Sequence, residues 1–354
     1  GMQQETINGL LTFEQGVQNH VYTSLSTIEG AWKNQETLRK YRKNFYRQAK
    51  KLAKKEAFSG YLISEEKDKF RLEVFLEKLS QHQIDVYPLM DDFRVKDTIY
   101  RKEASYYIPL EQEQYHVIKA LFTTDTDFPD NTFYDVSGWT MPLAMNIDFD
   151  QVARTWGLSI GEKPWSKSQK TVSPLNKGSY AYAFEWHHYL APKMLNSLLN
   201  SGVKAKVATK TFSSNMPSKA GLQKKDFATG TIMIPAGIQT ELNWQQTLDN
   251  VAKENGIEVS AISTGLTVEG IDLGSNSFRV VNPINVLMIG GEGISQYEAA
   301  EVLFYLDDQL GIPVSIVEKS RLARVDLSRY SHIILIDGNY NNLNAATFGK
   351  FSTW

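Results

Sequence analysis

"SYAYAFEWHHYLAPKMLNSLLNSGVKAKVAT", residues 179–209, decides how this chain is read. "SYAYAF" (179–184) has the aromatic, apolar make-up of a strand. "APKMLNSLLNSG" follows as a helix, with Met194, Leu195, Leu198 and Leu199 on its buried side. "VKAKVAT" (203–209) is the next strand, so the stretch predicts a βαβ unit with a right-handed crossover. Downstream, "TIMIP" (231–235) is a buried strand closed by proline, and a helix carrying Trp244, Leu248 and Val251 comes after it.

The same order lies upstream. "SGYLIS" (59–64), a helix with Leu72, Phe75, Leu76 and Leu79 on one face, and "IDVYPL" (84–89) form a second βαβ unit. "SYYIPL" (105–110) then repeats the strand-then-proline signature before the helix "EQEQYHVIKALF". Leu72, Leu76, Leu79 and Ile84 align with Ala191, Leu195, Leu198 and Val203 at one constant offset, the mark of a diverged internal duplication. A third unit opens with "INVLMI" at 284–289 and the turn "GGEG" (290–293). Its helix, "SQYEAAEVLFYLDDQLG", ends on Gly311 as C-cap, and "IPVSIVE" and "HIILID" are two more strands. Strands such as "VLMI" and "HIILI" are apolar throughout. The expected fold class is therefore α/β: tandem βαβ units with mainly parallel sheets flanked by helices, plus a partial third unit. The expected segments are a helical N-terminal stretch at 1–57, α/β units at 58–150 and 179–280, a linker at 151–178 and the third unit at 281–354.

With 354 residues, 42% of them hydrophobic, the chain has the material for two or three cores. No apolar run approaches the ~20 residues of a membrane helix, so no membrane span is expected. The leading Gly-Met reads as an expression scar on a piece of a longer protein, so the missing signal peptide says little about the parent. Cysteine is absent, which removes disulfides, thiolate metal ligands and a cysteine nucleophile. A net charge of −2 hides an asymmetry, because residues 33–56 hold ten Lys or Arg against two Glu. Leu38, Tyr41, Phe45, Ala49 and Leu52 recur there at helical spacing. This basic amphipathic helix fits an anionic partner, a solvated outer face, or packing on an acidic neighbour in the same protein. One basic helix without a base-stacking module favours the latter two, and nucleic acid is not expected as a partner.

Candidate sites are few. Glu185, His187 and His188 fall where "SYAYAF" ends, and the carboxyl ends of strands are where open α/β sheets bind ligands. Glu and His are zinc-ligand types, but adjacent residues in extended chain face opposite ways, and neither HxxE nor HExxH occurs. The expectation is a strand-to-helix turn and no metal. Gly290, Gly291 and Gly293 would expose backbone N–H groups to an anion, yet the spacing matches neither phosphate-binding fingerprint and Glu292 would repel the charge. Asp91 with Asp92, or Asp307 with Asp308, are ordinary acidic neighbours, and no GxSxG elbow exists. A cleft between the two α/β units would have Trp186, His187, His188, Trp139 and the "GGEG" turn as candidate lining.

Longer phrases carry a resemblance. "SLSTIEGAWKNQETLRKYRKNFYRQA", "YYIPLEQEQYHVIKALF" and "FYDVSGWTMPLAMNIDF" resemble the region after the catalytic domain in large bacterial zinc carboxypeptidases of the carboxypeptidase A type. "INVLMIGGEGISQYEAAEVLFYLDDQLGIPVSIVE" and "YSHIILIDGNY" resemble the class I glutamine amidotransferase-like domain near the C-terminus of those proteins. The resemblance implies an exported parent that removes C-terminal residues from peptides, with zinc in an upstream catalytic domain. That family's zinc-binding His-x-x-Glu is missing here, as is the cysteine an amidotransferase needs, so no catalytic residue carries over. The expected role is non-catalytic: a scaffold, an access control or a substrate holder packed against the upstream peptidase. A small-ligand binding module is the alternative.

Overall fold

The computed structural model describes residues 3–7, 9–124, 140–167, 172–176, 179–218 and 221–354. Trp139 and most of the phrase "TFYDVSGWTMPLA" lie outside these residues. Two compact units emerge, Gly1–Glu66 with Leu72–Ser166, and Lys67–Arg71 with Lys167–Trp354.

The first unit opens with the hairpin β1 (Gln3–Thr6) and β2 (Gly9–Thr12), then α1 (Phe13–Lys33) and α2 (Gln35–Ala53). Thr12 and Gln15 close a reciprocal capping box at the start of α1. The Asn34 amide donates to Gly30 O at 3.1 Å and the Leu38 amide to Asn34 O at 3.0 Å. Helical bonding thus runs through Asn34, whose own φ and ψ, −102° and 12°, depart from helical values. The Asn34 side chain also donates to Gly30 O, at 2.9 Å, a competing bond of the sort that bends helices.

Next come β3 (Gly60–Ser64), α3 (Lys69–Gln81), β4 (Tyr87–Pro88), the hairpin β5 (Phe93–Val95) and β6 (Thr98–Tyr100), β7 (Ser105–Pro109), α4 (Tyr115–Phe122), α5 (Met141–Ala144) and β8 (Asp148–Val152). The main sheet has the order β4-β7-β3-β8, and every neighbouring pair is antiparallel. β3 and β4 run the same way, as their sequence predicts, but β7 lies between them. The βαβ unit is therefore split. β7, α4 and β8 form a second split unit around β3, which makes the β-α-β-β-α-β arrangement of ferredoxin-like folds. Side chains alternate across the sheet: Tyr61, Ile63 and Ile108 meet Leu72, Phe75, Leu76, Leu79 and Phe122 on the helical face. Leu62 and Tyr107 meet Leu89, Tyr100 and Val152 on the other.

The second unit contains β9 (Ala181–Phe184), α6 (Ala191–Asn200), β10 (Ala205–Ala208), the long hairpin β11 (Phe212–Ser218) and β12 (Gly221–Phe227), β13 (Ile232–Pro235), α7 (Trp244–Asn255), β14 (Ser260–Ile262), β15 (Glu269–Gly270) and β16 (Phe278–Val281). Its five-stranded sheet, β14-β9-β13-β10-β16, is again antiparallel throughout. Without the added edge strand β16, the order is that of the first sheet. Tyr182, Phe184, Met194, Leu198 and Leu248 pack on the helical face, while Ala181, Ala183, Phe212 and Phe227 pack on the other. β15 pairs with β11 beside that hairpin.

The expectation of mainly parallel sheets is thus corrected for both repeats. The strands are apolar throughout because both faces are covered, and that condition also holds for central strands of an antiparallel sheet. Parallel pairing is found in the last part of the second unit. There β17 (Val286–Gly290), α8 (Gln296–Leu303), β18 (Val314–Glu318), β19 (His332–Leu335) and α9 (Ala345–Thr353) build a sheet ordered β18-β17-β19. α8 widens into a π turn over Phe304–Gln309 and stops at Gly311, whose φ is +65°.

The segment 151–178, read as a linker, starts inside β8. Leu158 and Ile160 pack on the first unit's outer core, and the Trp165 amide donates to Val86 O at 2.7 Å. The two compact units divide after Ser166.

Candidate functional site

β9 is buried along its length and ends at Phe184; the chain then turns through Glu185–Tyr189 before α6 starts at Ala191, with Pro192 in its first turn. The Leu190 amide donates to His188 Nδ1 at 3.1 Å and the Ala191 amide to His188 O at 2.8 Å, which closes the turn. Asp68, almost fully buried, accepts the Tyr189 amide at 2.9 Å on one carboxylate oxygen and the Arg71 amide at 3.1 Å on the other. Phe70 stacks on Tyr189 with ring centroids 5.7 Å apart. Burial, with Tyr305 and Asp68 nearby, pushes the Tyr189 phenol up.

The expected strand-to-helix turn is found at Glu185–Tyr189, outside any strand or helix. The backbone is not in a strand there, and His187 and His188 both line one cleft with Glu185. The cleft has a volume of about 310 Å³, and its other walls come from distant parts of the chain: Lys67, Lys69, Lys225 of β12, and Gly256, Ile257 and Glu258 between α7 and β14. Antiparallel pairing explains the meeting, because Ser260 at the start of β14 sits opposite Ala183 near the end of β9. Lys225 Nζ donates to Ser260 Oγ at 2.9 Å, lies 3.8 Å from Glu185 Oε2, and rests 5.1 Å from the Phe227 ring. Three lysines and two histidines thus line one opening together with Glu185 and Glu258. Among the described residues, no group of three His, Asp or Glu side chains is placed to hold a metal ion.

Trp186 turns to a different wall. It lines an apolar cavity of about 340 Å³ with Pro192, Leu195 and Leu199 of α6, Val207 and Ile232. Asn196 and Asn282 are polar residues of its lining, and Asn196 Nδ2 donates to Gly311 O at 2.7 Å.

Gly290, Gly291 and Gly293 lie elsewhere, at the carboxyl end of the parallel sheet. Gly290 ends β17 opposite Glu318, and Gly291 has φ +101°. A cavity of about 580 Å³ opens there, between Gly291, Glu292, Gly293, Glu318, Lys319 and Asn339. Lys319 Nζ donates to Asn339 O at 2.6 Å, and two carboxylates share the rim. The turn therefore does not join the histidine cleft. Lys67, Lys69, Lys225 and Glu258 escaped sequence reasoning because no local spacing ties them to residues 185–188.

Compared with known proteins, the chain matches no protein-family model, no curated protein and no solved structure.

Proposed function

We propose that the chain is a non-catalytic accessory region of a zinc metallocarboxypeptidase-like protein, one that holds peptide for hydrolysis carried out by an upstream, zinc-bearing domain. The observation that carries this reading is the convergence of Lys67, Lys69, Lys225, His187 and His188 on one cleft. Ammonium and imidazolium groups bind carboxylates through short, charge-assisted hydrogen bonds. A peptide C-terminus is the carboxylate that a carboxypeptidase substrate always presents. Glu185 and Glu258 give the same cleft an acidic side for a cationic group of the peptide.

Calorimetry with a short peptide, free or amidated at its C-terminus, tests this. The free acid should bind and the amide should bind at least about tenfold more weakly, since one charge-assisted bond is worth roughly 1.5–3 kcal/mol. Lys225→Ala should weaken the free acid to a similar degree and leave the amide unchanged. Equal binding of both peptides, or stoichiometric zinc together with peptide cleavage by this chain, defeats the reading.

The apolar cavity beside Trp186 favours a second reading, a small-ligand binding module. It calls for thermal stabilisation by a compact apolar molecule that Leu195→Trp abolishes.

A further inference from the structure

α1 is a helix of 21 residues, about 31 Å long, in which no residue is buried. An isolated helix is marginal in water, and helices in proteins owe most of their stability to a packed apolar face. α1 has such a face. Phe13, Val17, Val21, Leu25, Ile28 and Trp32 fall within one 120° stripe by helical geometry and are 47% to 70% exposed. Their exposed surface is on the order of several hundred Å², close to the ~800 Å² that one partner contributes to a stable interface.

The stripe is nearly its own mirror in sequence. Laid antiparallel on a copy of itself about an axis near Tyr22 and Thr23, it sets Phe13 against Trp32, Val17 against Ile28, and Val21 against Leu25. The flanking charges agree. Glu14 in the first turn comes beside the copy's Lys33 in its last turn, and the two helix dipoles oppose one another. α2 strengthens the choice of direction, with seven Lys or Arg against one Glu between Gln35 and Ala53. Antiparallel pairing sends the two basic α2 helices to opposite ends, whereas parallel pairing would set them side by side.

From this self-complementarity we infer that α1 is a homodimerisation helix, which pairs antiparallel and two-fold symmetrically with α1 of a second copy. The occupant of the stripe is the same chain, and the contact is isologous.

Light scattering coupled to gel filtration, on the full chain from about 1 to 200 µM, reads the mass. Twice the chain mass is expected, with a shift to the monomer in Val21→Glu/Leu25→Glu at unchanged circular dichroism. Direction is read separately, because the chain has no cysteine of its own. A short bis-maleimide should join Ser24→Cys copies near the axis and fail to join Phe13→Cys copies, whose thiols would lie about 28 Å apart along the helices. A monomer throughout, a dimer indifferent to the double substitution, or cross-linking at both positions overturns the proposal.

Discussion

At Gly60 the first sheet leaves no room for a side chain. A Cβ there would lie 2.4 Å from Ile108 O and 2.6 Å from the Tyr107 ring. Gly60 pairs with Pro109 on one side and Val152 on the other, so neither neighbour can retreat without disturbing the ladder. Gly60→Ala should cost about 1–3 kcal/mol, the scale of overpacking, measured as a lower midpoint in urea. At the same scale, Glu185, His187 and His188 were legible as a turn at a strand's end. That they share a cleft with Lys67, Lys225 and Glu258 was not, since those residues come from distant parts of the chain.

Among elements, a charged cluster just past the end of α2 ties the chain to α4, beside the apolar contact of Ala49 and Ala53 with Tyr115 and Ile118. The Tyr115 hydroxyl donates to Glu56 Oε1 at 2.5 Å, and Lys119 Nζ stands 3.2 Å from the same oxygen. The bond from Tyr115 holds the Glu56 carboxyl below its usual range, with Lys119 assisting against partial burial. The carboxylate in turn pushes the Tyr115 phenol up to about 12. A lowered acid contributes stability that is complete above its unfolded value and lost as pH falls through the folded one. A raised phenol contributes stability that is present below its unfolded value and lost as pH rises through the folded one. The pair is therefore strongest between these limits. Glu56→Gln should flatten the acid limb of a stability–pH curve and the alkaline limb with it, as followed by thermal melts. Three strands and two helices of each repeat could be placed from periodicity, while the fourth strands, β8 and β14, were missed. Their partners could not, because β7 enters between β3 and β4, and β13 between β9 and β10, by pairings between distant residues. The hairpin β11–β12 was missed because "FSSNMPSKAGLQKKDF" is polar and has none of the apolar alternation that marks a strand.

Across the whole molecule, the duplication proposed from Leu72, Leu76, Leu79 and Ile84 has a topological counterpart, since both sheets share one strand order. Leu79 and Leu198 hold matching places on α3 and α6, and both are fully buried. Leu79→Ala and Leu198→Ala should each cost about 2–5 kcal/mol. Amide hydrogen exchange should show the loss at β3 for the first and at β9 for the second. In each four-strand core the first strand lies beside the fourth, Gly60 opposite Val152 and Ala181 opposite Ile262. Each repeat also carries its extra hairpin at the same passage, between the second strand and the third. A module plumbed in this way tolerates additions at that passage without rethreading its layers. Lys225 sits on one such addition, so a lineage could exchange the cleft's cation by swapping a hairpin while the hydrophobic interior stays untouched.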